Sequence, residues 1–244
     1  MRYLLYCIFH NRADFSPENV LGVEGQPVSV IAANGFSAAL SDINNLELTC
    51  ALSEILTYHK VIESFHRHCT VIPLRYGCLF REKSQIIAFL ERQGGHFKTL
   101  LRELKGCTEM GIRILTFNSE TMTPLAPVRI SHSTPDNLQQ LDSGRAYLAA
   151  RKTHYERIDH PPNNNNEIVE RCRAAFADLS VKCKVESPPF NLQHSVFSIP
   201  LFSLYFLVPK SSVKDFRKVF RQVSAKETTT KLLLSGPWPP YNFV

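Results

Sequence analysis

Val28-Ser29-Val30-Ile31-Ala32-Ala33-Asn34-Gly35-Phe36-Ser37-Ala38-Ala39-Leu40 reads as two strands joined by a two-residue turn. An Asn-Gly pair takes the left-handed backbone of a hairpin turn at little cost, and apolar runs flank it on both sides. Before it, Met1-Arg2-Tyr3-Leu4-Leu5-Tyr6-Cys7-Ile8-Phe9 reads as a buried strand, followed by a loop around Ser16-Pro17-Glu18. After it, a long helix is predicted over roughly Leu46 to Cys69. Its stripe is Leu48, Leu52, Ile55, His59, Ile62, His66 and Cys69, in steps of three and four. Val71 to Phe80 returns as a strand with a turn or bulge near Gly77. Arg81 to Gln93 reads as a helix closed by a Gly94-Gly95 C-cap, and His96 to Leu104 as a second short one. Met110 to Phe117 closes as a strand. This order predicts an α+β unit, a sheet with helices packed on one face.

The chain loosens from Asn118 to about Asp142, where Pro124, Pro127 and Pro135 fall. The expected organisation is an N-terminal α+β domain over 1–118, a linker over 119–142 and a C-terminal α+β domain over 143–244. In the last, Gly144 to Ile158 looks helical and Pro161 to Asn166 interrupts. Glu167 to about Leu179 resumes, with Ile168, Cys172, Ala175 and Phe176 on one side, so the two arms read as a helical hairpin. Val181 to Val185 and Leu201 to Val208 read as strands. Val213 to Val223 reads as a helix with Val213, Phe216, Phe220 and Val223 inward, and Lys231 to Leu234 as a last strand.

Composition bounds the function. At 244 residues, 44% hydrophobic and 20% charged, the chain is globular rather than disordered. A net charge of +6 permits a nucleic acid, an anionic membrane or an acidic protein as partner, but no basic block selects one. Seven cysteines, an odd number with no CxxC pair, argue against a disulfide framework or structural zinc and for reduced cytosolic thiols. The apolar runs at Met1–Phe9 and Phe197–Val208 are too short for a signal peptide or a membrane span.

Candidate chemistry is thin. His59 sits on the helical stripe with Glu63 one turn on, as a general base or ligand would, yet a hydrogen-bonded core histidine is the commoner use of such a position. His66, His68 and Cys69 offer metal-type atoms, and His66 and Cys69 can share a helix face, but no second cluster completes a site. A ligand- or metal-binding module or enzyme using His59, His66 and Cys69 is therefore the alternative reading. No Walker loop, GxGxxG, GxSxG elbow or HExxH occurs. Lys214, Arg217, Lys218 and Arg221 form a basic helix face. Without a nucleic-acid-reading motif, it suits solvent or an acidic protein surface.

Gly236-Pro237-Trp238-Pro239-Pro240-Tyr241-Asn242-Phe243-Val244 holds three prolines and the only tryptophan. The prolines stiffen the ribbon and present Trp238, Tyr241 and Phe243 at low entropic cost. Such a segment wants burial, on its own protein or on a partner. Because it directly follows a predicted core strand, packing onto the body is the favoured reading.

Four segments together resemble the GvpL/GvpF gas vesicle proteins. They are the aromatic strand Tyr3-Leu4-Leu5-Tyr6-Cys7-Ile8, His59-Lys60-Val61-Ile62-Glu63, Val71-Ile72-Pro73-Leu74-Arg75-Tyr76-Gly77, and the Gly-Pro-Trp-Pro-Pro-Tyr ending. The third is close to that family's PLRFG strand, with Tyr76 for phenylalanine. The last is close to its GPWPPYSF terminus, with Asn242 for serine. Glu109 and Tyr147-Leu148 are shorter echoes, and the likeness keeps its order along nearly the whole chain.

The resemblance implies two α+β domains, the N-terminal one ferredoxin-like, and a non-enzymatic accessory protein of gas vesicle assembly without cofactor or catalytic residues. Its implied partners are the very hydrophobic shell protein GvpA and other gas vesicle accessory proteins, with no nucleic acid and no membrane span. It would nucleate or assist shell formation, or be a minor shell component, in the prokaryotic cytoplasm and on the vesicle. Candidate partner-binding or signature residues are His59, Glu63, Pro73, Arg75, Tyr76, Gly77, Lys214, Arg217, Lys218, Arg221, Trp238, Tyr241 and Phe243.

Overall fold

A computed structural model describes residues 2–11, 20–44, 51–116, 164–186, 200–227 and 230–244. The expected linker at 119–142 and the helix at 144–158, with the hairpin it would complete, lie outside them. The described strands are β1 (Arg2–His10), β2 (Val28–Ala33), β3 (Phe36–Ile43), β4 (Val71–Pro73), β5 (Leu79–Phe80), β6 (Cys107–Thr116), β7 (Lys182–Glu186), β8 (Pro200–Pro209) and β9 (Thr230–Trp238). The helices are α1 (Leu52–His68), α2 (Lys83–Arg92), α3 (Gly94–Glu103), α4 (Asn164–Phe176) and α5 (Val213–Lys226). The strands form two antiparallel sheets, so the α+β class holds.

The first sheet runs β2-β3-β1-β4, with β5 also paired to β1. Its β2–β3 hairpin turns at Asn34 and Gly35, both at positive φ. β1 is buried on both faces. Leu4, Tyr6 and Phe9 meet Tyr58, Val61, Ile62 and Phe65 of α1. Leu5 and Ile8 meet α2 through Ile86 and Leu90, and α3 through Phe97 and Leu101. The expectation of helices on one face is thus corrected: α1 covers one face, α2 and α3 the other. A strand covered on both sides is apolar at consecutive positions, which is why β1 shows no alternation.

The α1 stripe is also corrected. The helix starts at Leu52, after an extended Ala51, rather than at Leu46. It buries Tyr58, Val61, Ile62, Phe65 and His66, while Leu52 and Ile55 are 71% and 39% exposed. Two aromatics seven residues apart bury more area than the aliphatics beside them and turn the helix by about one residue. Gly94-Gly95 is no C-cap, since α3 begins at Gly94. A Cβ on Gly94 would lie 2.9 Å from the Asn34 amide, so glycine lets the hairpin close over the α2–α3 junction.

The second sheet runs β7-β8-β6-β9. Met110, Ile112, Ile114, Leu204, Phe206 and Val208 face α4 and α5. Phe176 and Phe216 stack there at 4.2 Å between ring centroids. Met110–Phe117 was expected to close the first sheet. Instead β6 lies inside the second, between β8 and β9. α4 begins at Asn164, so the asparagine run opens the helix rather than interrupting it. Val169 is buried beside Ile168, Cys172 and Phe176, and Ala175 faces outward.

β9 does not stop at Leu234. It pairs with β6 as far as Trp238 opposite Glu109, past a bulge. Gly236, at φ 104, is required there because a Cβ would sit 2.7 Å from the Glu109 carbonyl oxygen. The chain then leaves the second sheet for the first unit. Pro239 and Pro240 are buried, Tyr241 packs against the α1 side of β1, and Phe243 packs against the α2–α3 side. The tail is therefore packed and ties the two sheets together. Among the described residues no helix is long and apolar enough to cross a membrane.

Candidate functional site

A groove of about 620 Å³ lies between α1, the segment after β4, the face of the second sheet turned away from α4 and α5, and the tail. The Tyr58 hydroxyl fixes its floor. It donates to the Leu5 carbonyl at 2.7 Å, with the Leu74 and Arg75 carbonyls at 3.1 and 3.2 Å, and so holds α1, β1 and the post-β4 segment together. Beside it, Tyr76 donates to Glu54 at 3.0 Å.

The tail forms one wall. Thr108 donates to the Trp238 carbonyl at 2.8 Å. His59 Nδ1 and the Tyr241 hydroxyl are 2.7 Å apart, the imidazole tautomer setting which donates. The Trp238 ring stands edge-on to His59 at 5.2 Å. Glu109 is 3% exposed, and its two carboxylate oxygens each accept from Asn242, one from the backbone N–H and one from the side-chain amide.

Burial shapes the electrostatics of the inner lining. Burial pushes the Glu109 carboxyl up, against the two Asn242 donors that pull it down. Burial lowers His59, opposed by the Glu63 charge, and raises Tyr58 and Tyr241. Each of these shifts favours the uncharged form, and burial likewise raises the Cys7 thiol and the partly buried Cys78 thiol. None is activated as a nucleophile.

The lips are apolar and exposed: Ile55 39%, Leu56 49%, Trp238 38% and Val244 49%. Leu52, one turn before Leu56 on α1, extends that row. Arg75 and Arg113 are the exposed cations at the rim.

Of the sequence candidates, His59, Pro73, Arg75, Tyr76, Trp238 and Tyr241 converge here. The others do not. Glu63 pairs with Arg67 at 3.0 Å, Gly77 makes the β4–β5 turn at φ 93, and Phe243 is packed inward. Lys214, Arg217, Lys218 and Arg221 lie on α5, which covers the opposite face of the second sheet, although Arg217 reaches the Gly236 carbonyl at 3.2 Å. His66 and Cys69 form no ligand set with His59. His66 is 7% exposed with neither ring nitrogen hydrogen-bonded, and the Cys69 thiol donates to the Phe65 carbonyl. Among the described residues no three His, Cys, Asp or Glu side chains are placed to hold a metal.

Sequence reasoning missed Tyr58, Leu56 and the function of Asn242, and took Glu109 only as an echo. An acidic residue inside the apolar run from Cys107 to Ile114 was the available signal, because a buried carboxylate needs donors.

Comparison with known proteins places this geometry. A family model described as "Gas vesicle synthesis protein GvpL/GvpF" matches residues 2–244. Gas vesicle protein F1 of Halobacterium salinarum is 22% identical over 93% of this chain and 85% of its own length. Gas vesicle protein L of a Streptomyces species is 21% identical over 93% and 86%. Among solved structures, GvpF from Anabaena sp. PCC7120 superposes with a TM-score of 0.71 at 17% identity, covering 99% of this chain and 95% of that one. GvpF from Microcystis aeruginosa gives 0.70 at 18%, covering 99% and 98%. At these identities the structural likeness speaks for the fold.

Proposed function

Because the chain belongs to the GvpL/GvpF family of gas vesicle synthesis proteins, we propose that it is a non-enzymatic accessory protein of gas vesicle assembly. It binds the hydrophobic shell protein GvpA, or another gas vesicle protein, and nucleates or assists shell formation as an assembly factor or a minor shell component.

One observation carries this reading: Ile55, Leu56, Trp238 and Val244, all exposed, converge on one groove, with Arg75 and Arg113 at its rim. Burying apolar surface there gains about 25 cal/mol per Å². A shell subunit with an apolar side needs such cover before it is assembled. Arg75 and Arg113 on the lips select a partner that carries acidic groups beside its apolar face.

His59, Pro73, Tyr76 and Trp238 contact the partner in this reading, while Tyr241 and Phe243 hold the wall. Glu63 and Gly77 support the helix and the turn behind it. Lys214, Lys218 and Arg221, exposed on α5, offer a separate face to an acidic accessory protein. The protein acts on the forming vesicle. A pull-down of purified protein with GvpA and each accessory protein tests this: capture of GvpA supports it, and loss of vesicles on deletion without binding to any of them sinks it.

A further inference from the structure

A second concavity, of about 660 Å³, shares no lining residue with the groove. It opens where the ends of β1 and α1 meet α3, the Lys105–Gly106 step before β6, and Lys210 after β8. Lys98 and Arg102 lie one turn apart on α3, and Lys105 joins them from the turn before β6. Lys210, His10 and His68 complete a ring of basic groups.

Among the described residues no carboxylate lines this pocket. Two described acids near it in sequence are engaged elsewhere: Glu103 by Lys182 of β7 at 2.6 Å, and Glu63 by Arg67 at 3.0 Å. The Lys210 ammonium donates one bond, to the His66 carbonyl at 2.6 Å, which leaves two of its three protons for another acceptor. Burial lowers Lys210. Lys98, Arg102, Lys105 and Lys210 all line the pocket, and like charges gathered there repel one another.

The shape narrows the ligand. A pocket of this volume suits a small molecule rather than an extended chain. Among the described lining residues Leu101 is the one aliphatic side chain, and no Phe, Tyr or Trp stands there to stack a base of single-stranded nucleic acid. The Thr70 and Thr99 hydroxyls add polar contacts between the cations. We infer that this pocket binds a compact oligophosphate anion, its phosphates held by Lys98, Arg102, Lys105 and Lys210.

Calorimetric titration of the full chain with sodium triphosphate, at about 0.1 M salt to screen non-specific attraction, tests this. The expected result is saturable one-to-one binding. It weakens about tenfold or more in an Arg102→Ser, Lys105→Ser double variant, which loses two charge-assisted contacts. It is unchanged in a Lys226→Ser, Lys231→Ser variant, which removes equal charge from exposed positions elsewhere. ATP in a second titration separates the sources. Equal affinity means that the phosphate chain alone is read, and tighter binding means that a nucleoside is read with it. Absence of triphosphate binding, equal weakening in both variants, or binding of a poly-glutamate peptide in its place each overturns the inference.

Discussion

Asn242 of the tail donates two hydrogen bonds to Glu109 of β6, its backbone N–H to Oε2 at 2.8 Å and its side-chain amide to Oε1 at 2.6 Å. This pair joins the end of the tail to the middle strand region of the second sheet, under the wall of the groove. Asn242→Ala leaves one buried carboxylate oxygen without its donor, which costs about 1–3 kcal/mol. Asn242→Ser, with a shorter donor, is expected to fall between the two. Urea unfolding measures both, and an Asn242→Ala protein as stable as the original contradicts the clasp.

Removal of the tail after Ser235 takes away the Thr108–Trp238 and His59–Tyr241 bonds as well as the packed Tyr241 and Phe243. The truncated chain is therefore expected to melt several degrees lower, since about 1 kcal/mol already shifts Tm by roughly 2–4 °C in a chain of this size. A melting temperature equal to that of the full chain, with lost vesicle formation, would mean that the tail acts through display rather than packing.

His66 gives the fold an acid limb. Burial lowers it from 6.5 to about 4, with the Lys210 charge adding to the effect and Glu63 opposing it. The folded state binds this proton less tightly than the unfolded chain. Its contribution is therefore fully present above pH 6.5 and is lost as the pH falls toward 4. The difference is worth about 3 kcal/mol. In His66→Leu the slope of stability against pH should flatten across this window, whatever the level at neutral pH. An unchanged slope in chemical denaturation at stepped pH places the acid limb elsewhere.

Much of the fold was legible because local signals and global packing agree. The Asn34-Gly35 turn, the β8 apolar run and the Phe216-centred stripe of α5 each read as they stand. The failures have physical causes. β6 could join either sheet on its own pattern, since strand pairing is a long-range choice that periodicity does not encode. The α1 face was misjudged because counting apolar positions gave Leu52 and Ile55 the same weight as Tyr58 and Phe65. The same error hid the candidate site: Leu52 and Ile55 looked like core and are exposed, Ile55 on the lip beside Leu56. His59, Pro73, Arg75, Tyr76, Trp238 and Tyr241 were legible only as scattered signature residues, and folding brings them to one groove.

The groove itself is probed most directly at Leu56, which is half exposed and at the lip. Leu56→Glu places a charge where the account needs an apolar contact, yet as a surface change it should move folding stability by no more than about 0.5 kcal/mol. Capture of GvpA by the purified protein, compared between the original chain and Leu56→Glu with both unfolding midpoints recorded, is the decisive measurement. The account predicts that the original captures GvpA, that Leu56→Glu does not, and that the midpoints coincide. Equal capture by the two proteins, or none by the original, would contradict it.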